Sequence, residues 1–137
     1  MKFEFATAAR VIFGPGSVRE AAPLAAGKGN RAFVVTGSSG KRAGGLLEQL
    51  KDQGIGCEVF NVAGEPTVAV VKAGVKQARE AGCDLVVAMG GGSVLDAGKA
   101  VAAMLTNSGD LEDYLEVVGR GKPISLPPVP NIAIPTT

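Results

Sequence analysis

A run of three glycines followed by a serine, Gly90-Gly91-Gly92-Ser93, is the segment of this sequence best suited to binding chemistry. It lies between the apolar stretch Leu85 to Met89 and a segment whose apolar residues recur at helical spacing. Backbone without side chains lets a pyrophosphate approach closely, and the free N–H groups and dipole of a helix N-terminus stabilise its charge. The alternative is a tight turn that needs glycine only for its dihedral angles, but three glycines cost more conformational entropy than such a turn requires. The run therefore favours phosphate binding.

Neither of the two common nucleotide-binding fingerprints fits this run. Leu95 stands where GxGxxG needs its last glycine, and Ser93 stands at the first glycine of GxxxxGK. We expect Ser93 to cap the helix that follows. Asp96 and Lys99 lie one and two turns further, where spacing alone favours a capping-box carboxylate and its ion-pair partner over ligand contacts.

Short apolar runs alternate with amphipathic segments along most of the chain, and this alternation predicts the fold. Strands are predicted over 32–36, 57–62, 85–89 and 132–134, and helices from Ala43 to a stop at Gly54, from Thr67 to Gly82 and from Ser93 through Met104. Repeated strand-helix units with right-handed crossovers give a parallel sheet. The predicted fold class is α/β, a Rossmann-like doubly wound parallel sheet with helices on both faces. The polar stretch from Asn107 to Pro130, interrupted by prolines, is predicted to be a loop.

The first residues of the chain give a weaker pattern. Phe3 to Phe5 and Val11 to Phe13 are predicted to pair as a small hairpin or sheet edge. Ser17 to Glu20 fits a capping box, and Pro23 requires that the helix be kinked there or begin later.

Ligands of parallel α/β sheets bind beyond the carboxyl ends of the strands. Most of those ends are rich in Gly, Ser or Thr, as a phosphate- or sugar-binding crevice requires. The ends are Thr36 to Gly40, Val62 to Thr67, Met89 to Ser93 and Ile134 to Thr137. This clustering predicts one site at one edge of the sheet.

Composition excludes several function classes. The 137 residues include 14 Lys and Arg against 13 Asp and Glu, so no field gathers nucleic acid or an anionic membrane surface. One Tyr, five Phe and no Trp offer few stacking platforms for single-stranded nucleic acid. Without histidine the chain has neither a Ser-His-Asp triad nor an imidazole metal ligand, so no catalytic or metal-binding residue is predicted. Neither a signal peptide nor a membrane span is predicted, and we expect a cytoplasmic protein in which Cys57 and Cys83 are reduced thiols.

Three segments together resemble the iron-containing (group III) alcohol dehydrogenases. They are the GGGSxxDxxK pattern over 90–99, the sequence Ile132 to Thr137, and the opening Val11 to Ser17. The resemblance covers essentially the whole chain in order. It implies that residues 1–137 form an N-terminal dinucleotide-binding domain. It also implies that the family's helical domain, whose Asp and His residues hold Fe²⁺ or another divalent metal, is absent from this chain, which we interpret as a fragment.

The resemblance also implies a set of cofactor-binding residues. In the family the glycine run holds the pyrophosphate, and the two threonines line the cofactor and its nicotinamide ribose. A polar cofactor contact is often found at the position of Glu65. The implied set is Gly37, Ser38, Glu65, Gly90, Gly91, Gly92, Ser93, Asp96, Lys99, Thr136 and Thr137.

The cofactor is expected to be NAD or NADP. After the first strand many family members carry an Asp that binds the adenosine ribose and repels a 2′-phosphate, and here Gly37 takes that position. Ser38, Ser39, Lys41 and Arg42 follow, so hydroxyls and a cation are available for the extra phosphate. Lys41 and Arg42 are equally compatible with a solvated helix start. The sequence leads to the hypothesis that NADP is tolerated.

The activity implied by the resemblance is hydride transfer between NAD(P) and a small alcohol or aldehyde, with the metal polarising the substrate oxygen. These 137 residues alone are expected to show no turnover. Alternatives are the NAD-binding domain of a dehydroquinate synthase-like or maleylacetate reductase-like enzyme, and a stand-alone nucleotide-binding module. A homodimer is left open.

Overall fold

Four parallel strands form the centre of the fold in the computed structural model, which describes residues 1–137. The strands are β1 (Arg31–Gly37), β2 (Gly56–Val62), β3 (Leu85–Gly90) and β4 (Asn131–Pro135). Their order across the sheet is β2-β1-β3-β4, and every neighbouring pair is parallel. The four strands predicted from the apolar runs are therefore confirmed, each with bounds within one residue of those expected.

Helices cover both faces of this sheet. They are α1 (Ala21–Ala26), α2 (Gly44–Asp52), α3 (Val68–Glu80), α4 (Gly92–Thr106) and the short α5 (Leu111–Tyr114), with 3₁₀ turns at Ser17–Glu20 and Lys41–Ala43. One apolar cluster joins α3 and α4 to the sheet, and a second joins α1 and α2 to its other face. The doubly wound α/β class is confirmed. The sequence did not indicate α5, which a reciprocal capping box between Asp110 and Asp113 stabilises.

The two central strands are buried on both faces, which explains their unbroken apolar sequences. In β1, Phe33 and Val35 belong to the cluster under α3 and α4, whereas Val34 belongs to the cluster under α1 and α2; all three are 0% exposed. Because side chains alternate along a strand, burial of both faces removes the alternation of polar and apolar residues that an exposed face produces. The Phe33 ring stacks on that of Phe60 with centroids 5.5 Å apart.

Close backbone approach seats α4 directly on β3. A Cβ placed on Gly98 would lie 2.7 Å from the Cβ of Ala88, closer than real side chains come. A Cβ placed on Gly90 would lie 2.7 Å from Val94 Cβ in the first turn of the helix. The two glycines thus let the helix descend onto the strand, and they fix the position of its N-terminus relative to the strand end.

Asp84 joins two loops at the amino edge of the sheet. Its Oδ1 accepts hydrogen bonds from the backbone N–H of Asn30 and of Arg31, both at 2.9 Å, and its Oδ2 accepts from Asn30 at 3.0 Å. Burial raises the pKa of the carboxyl, but the backbone hydrogen bonds together outweigh burial and hold the pKa below its usual range. The charged carboxylate therefore ties the start of β1 to the start of β3.

Asn107 organises the long connection that leads into β4. This side chain is 2% exposed. Its Oδ1 accepts from the N–H of Ser125 at 3.2 Å and of Leu126 at 3.1 Å, and its Nδ2 donates to the carbonyl of Ala103 at 2.8 Å. A segment predicted only as a loop is in this way attached to the end of α4.

The predictions for the first residues are wrong in two respects. Residues 1–13 contain no strand, and their large apolar side chains are mostly exposed, with Phe3 at 83%, Phe5 at 81%, Val11 at 75% and Phe13 at 99%. A two-stranded hairpin is marginal without a further surface to cover it, and neither edge of the sheet pairs with these residues. Ser17 makes no capping hydrogen bond because it already lies inside the 3₁₀ turn, for which Gly16 is the N-cap.

Of the two alternatives at Pro23, a kinked helix or a helix that begins later, the structure shows the later start. Helix α1 begins at Ala21, so Pro23 lies in the first turn, where a backbone N–H has no intrahelical partner. The expected ends of α2 and α3 are confirmed, since Gly54 and Gly82 follow them with φ of 77° and 68°.

The contact between Gly98 and Ala88 predicts a compensating pair of substitutions. Gly98→Ala should lower the free energy of unfolding by about 1–3 kcal/mol, because the added methyl group has no space. Adding Ala88→Gly should restore part of that loss, so the double variant should be more stable than the sum of the two single effects predicts. Urea denaturation of both single variants and the double variant measures this difference. Simple additivity of the two single effects would contradict the proposed contact.

The hydrogen bonds of Asp84 predict a pH-dependent stability. Because its folded pKa is below the unfolded value of about 3.9, its contribution is complete above that value and is lost as pH falls through the folded pKa. Asp84→Asn should lower the free energy of unfolding by about 1 kcal/mol at pH 7 and by progressively less below pH 4. Urea denaturation across this pH range measures the difference, with Asp52→Asn at the exposed end of α2 as the control. A difference that does not change with pH would contradict the role of the charged form.

Candidate functional site

The candidate site lies where the carboxyl ends of β1 and β3 meet. Because all the strands are parallel, their carboxyl ends share one edge of the sheet. From β1 the chain goes to β2 on one side, and it then returns to form β3 on the other side of β1. Such a reversal of strand order opens a crevice in which α/β proteins bind ligands. Here it holds a cavity of about 220 Å³. The lining residues are Thr36, Gly37, Ser38, Ser39, Arg42, Met89, Gly90, Gly91, Val94 and Thr136.

The glycine run forms the turn from β3 into α4. Gly91 is the N-cap in extended backbone, with φ of −78° and ψ of −175°, and the helix begins at Gly92. The first bonds of the helix run from the N–H groups of Val94 and Leu95 to the Gly91 carbonyl, both at 3.1 Å. The N–H groups of Gly92 and Ser93 precede those bonds and have no intrahelical acceptor. A Cβ on Gly92 would meet nothing within 4 Å, so an anion has room to approach these donors.

The expectation that Ser93 caps α4 is wrong. The helix starts one residue earlier, because Gly91 supplies the carbonyl that accepts the first helical bonds and Ser93 already lies within the first turn. The Ser93 hydroxyl instead donates to Glu65 Oε1 across 3.4 Å. Glu65 lies on the loop between β2 and α3, so two predicted site residues from different loops are brought together.

The two C-terminal threonines lie against the same glycine run. The backbone N–H of Thr136 donates to the Gly90 carbonyl at 3.0 Å, which extends the pairing of β4 with β3 beyond the strand. A Cβ on Gly91 would lie 3.6 Å from Cγ2 of Thr137. Both hydroxyl residues therefore border the turn that the sequence identified.

The opposite wall of the cavity comes from the end of β1. A Cβ placed on Gly37 would meet nothing within 4 Å, and Ser38 and Ser39 are exposed. Arg42 lines the cavity and Lys41 does not, which separates the two cations that the sequence left equivalent. This wall thus offers hydroxyl groups and a guanidinium, and no carboxylate lines the cavity.

Asp96 and Lys99 lie on the exposed side of α4, outside the cavity lining. Lys99 Nζ is 3.3 Å from Asp96 Oδ1, so the ion pair expected from their spacing is confirmed. The capping-box interpretation of Asp96 is wrong, because a capping box needs Ser93 at the N-cap.

Three lining residues were not singled out as site residues from the sequence. They are Thr36 and Met89, each the last residue but one of its strand, and Val94 in the first turn of α4. Thr36 and Met89 both stand at strand ends that the sequence identified, but apolar residues such as Met89 and Val94 are usually part of the core. A second cavity of about 300 Å³, between α3 and the segment after α4, contains none of the predicted residues. Its three cations already have partners: Lys72 pairs with Glu112 at 2.6 Å, Lys76 with Glu80 at 3.9 Å, and Arg79 donates to the Met104 carbonyl.

The two cysteines take no part in the site. Both are free and partly buried. Burial raises the pKa of each thiol, against a smaller lowering by the Arg31 guanidinium. Both groups therefore stay protonated at neutral pH and are poor nucleophiles.

Neither a metal centre nor a membrane segment is found. No group of three or more His, Cys, Asp or Glu side chains is arranged to hold a metal ion. No helix has both the length and the apolar character needed to cross a bilayer.

A family model and individual relatives of this chain point to the same group of proteins. Residues 8–137 match the family model described as iron-containing alcohol dehydrogenase. The chain is 41% identical over 132 residues to the probable alcohol dehydrogenase EutG of Escherichia coli (strain K12), a match that covers 92% of this chain and 32% of the relative.

Two solved structures are similar throughout this chain. An archaeal halo-thermophilic alcohol dehydrogenase from a Red Sea brine pool has a TM-score of 0.84 at 30% identity, covering 99% of this chain and 37% of that one. The sulfoacetaldehyde reductase from Bifidobacterium kashiwanohense, solved in complex with NAD⁺, has a TM-score of 0.80 at 31% identity, covering 100% and 36%.

The chain thus spans about a third of the length of these relatives. The family match extends over nearly all of its residues and includes the glycine run, the threonines and the crevice between them. The chain belongs to the iron-containing alcohol dehydrogenase family.

Proposed function

We propose that this chain is the dinucleotide-binding unit of a metal-dependent alcohol dehydrogenase that transfers hydride between NAD(P) and a small alcohol or aldehyde. The observation that carries the proposal is the free N-terminus of α4. Its N-cap, Gly91, lines the crevice at the point of strand reversal, and the N–H groups of Gly92 and Ser93, which have no intrahelical acceptor, follow directly.

The crevice provides a place for each part of the cofactor. The pyrophosphate accepts hydrogen bonds at the glycine run, where the helix dipole stabilises its charge. Thr136 and Thr137, beside that run, line the nicotinamide ribose, and Gly37 and Ser38 border the adenosine ribose. Asp96 and Lys99 enter the proposed set through the family resemblance alone, since their side chains pair with each other outside the cavity.

The metal named by the family does not fit the donor groups of this chain. No cluster of candidate ligands exists among its residues, and it has no histidine. We therefore assign no residue here to a metal and derive no step through one. The proposal is that the remaining part of the enzyme, corresponding to the length by which the relatives exceed this match, holds the metal and completes the substrate site.

The relatives support the dehydrogenase interpretation over the dehydroquinate synthase alternative. They carry names such as 4-hydroxybutyrate dehydrogenase in Cupriavidus necator, which is 39% identical over 110 residues. Such names span several small alcohols and aldehydes, so the substrate of this chain is proposed only as that class.

Tolerance of NADP is part of the proposal. The cavity wall formed by Gly37, Ser38, Ser39 and Arg42 carries hydroxyl groups and one cation, and no carboxylate lines the cavity. A guanidinium is well suited to bind a 2′-phosphate, and a carboxylate at Gly37 would repel one.

Binding of dinucleotide to this chain tests the proposed site. NADH should bind saturably, which nicotinamide fluorescence measures without energy transfer from tryptophan, since the chain has none. Gly92→Asp should weaken binding at least about tenfold, because its carboxylate takes the position of the pyrophosphate charge. The melting temperature should not fall, since a carboxylate in the first turn of a helix is favourable.

Gly92→Asn is the matched control, because it has nearly the same shape without the charge. It should weaken binding less than Gly92→Asp does. Binding of NADH to Gly92→Asp as tight as to the unmodified chain would show that the glycine run does not hold the pyrophosphate. Absence of saturable binding to the unmodified chain would contradict the proposed function of the chain by itself.

Cofactor preference is tested at Gly37. A side chain fits there, since a Cβ meets nothing within 4 Å and the backbone is not left-handed. Gly37→Asp should raise the Kd of NADPH at least about tenfold relative to that of NADH through repulsion of the 2′-phosphate. Gly37→Asn controls for size. If the ratio of the two Kd values is the same in all three proteins, this wall does not select the cofactor.

A further inference from the structure

The carboxylate of Glu65 lies beside the first turn of α4, to which the proposed function assigns the cofactor's pyrophosphate. Its Oε1 is 3.4 Å from the hydroxyl of Ser93, the second residue of α4. Glu65 follows β2, and β1 separates β2 from β3, so this contact passes over the end of β1. A negatively charged side chain from a distant loop therefore reaches the head of the helix.

The helix head favours any anion that reaches it. The N–H groups and dipole of a 15-residue helix attract a carboxylate for the same reason that they attract a phosphate. A phosphate bound at the Ser93 N–H would share that residue with Glu65 Oε1, which accepts from the Ser93 hydroxyl, and two negative charges held near each other repel. Movement of the Glu65 side chain away from Ser93 relieves this repulsion.

Glu65 is able to move. The residue is exposed, it follows Gly64, and its hydrogen bond to Ser93 is the only one that its side chain makes. At 3.4 Å this hydrogen bond is long for a hydroxyl donor, so breaking it costs little free energy.

We propose that Glu65 is an internal occupant of the pyrophosphate position, which the cofactor displaces when it binds. This inference rests on the proposed function. It assigns Glu65 a role opposite to that of a favourable cofactor contact: the side chain lowers affinity for ligands that carry a pyrophosphate and leaves affinity for uncharged parts of the cofactor unchanged.

Glu65→Gln separates the two roles. In the chain as it exists, Kd is measured for NADH by fluorescence, and for inorganic pyrophosphate and adenosine by displacement of NADH. With the carboxylate removed, NADH and pyrophosphate should each bind roughly fivefold more tightly, and adenosine should bind as before. The gain should shrink at high salt, because charge repulsion at an exposed position is screened.

Asp52→Asn is the control for net charge. It removes the same unit of charge at the exposed end of α2, on the opposite edge of the sheet, and should leave all three Kd values unchanged. Circular dichroism verifies that both variants fold as the unmodified chain does.

Each result decides the inference. Weaker binding of NADH by Glu65→Gln would show that Glu65 is a cofactor contact, and equal binding would show that it is not an occupant; either overturns the proposal. If neither protein binds NADH, the proposed function fails with it. Binding by Glu65→Gln alone would support both.

Discussion

The parallel pairing of β1 with β3 is the constraint on which the other features of this protein depend. The two strands are joined in register from Ala32 with Leu85 to Thr36 with Met89, although more than fifty residues of chain separate them. Because they are parallel neighbours while the intervening β2 lies on the far side of β1, the chain must cross over twice, and helices cover both faces. The pairing also sets the ends of β1 and β3 side by side, which creates the crevice.

Glycine contacts then convert that crevice into a binding position. Gly98 and Gly90 let α4 rest directly on β3, so the helix head stands immediately beyond the strand end rather than displaced by a layer of side chains. The N–H groups of Gly92 and Ser93 lack intrahelical acceptors and directly follow Gly91, which lines the cavity. A larger residue at either contact would shift the helix, and with it the cluster of free backbone donors on which the site depends.

The chemistry of the site is therefore mainly that of backbone and hydroxyl groups, modified by two charges. Arg42 adds a cation at the β1 wall, and Glu65 brings a carboxylate to the helix head. Of these opposite charges, the guanidinium is suited to an additional phosphate, and the carboxylate is proposed to compete with the pyrophosphate. Membership of the iron-containing alcohol dehydrogenase family agrees with such a site, and no residue of this chain is assigned to a metal.

The sequence by itself determined the four strands, the helices α2, α3 and α4, and most of the residues at the strand ends. Unbroken apolar runs marked β1 and β3 because burial of both faces is a local demand on each residue, and Thr67 marked the start of α3 because its hydroxyl binds the N–H of Val70 three residues away. Only the tertiary structure decided which distant groups meet. The structure decided that Arg42 and not Lys41 lines the cavity, that the Ser93 hydroxyl bonds Glu65, and that residues 1–13 have no strand partner. Each of these depends on how separate loops and strands are placed relative to one another, and no local periodicity encodes that placement.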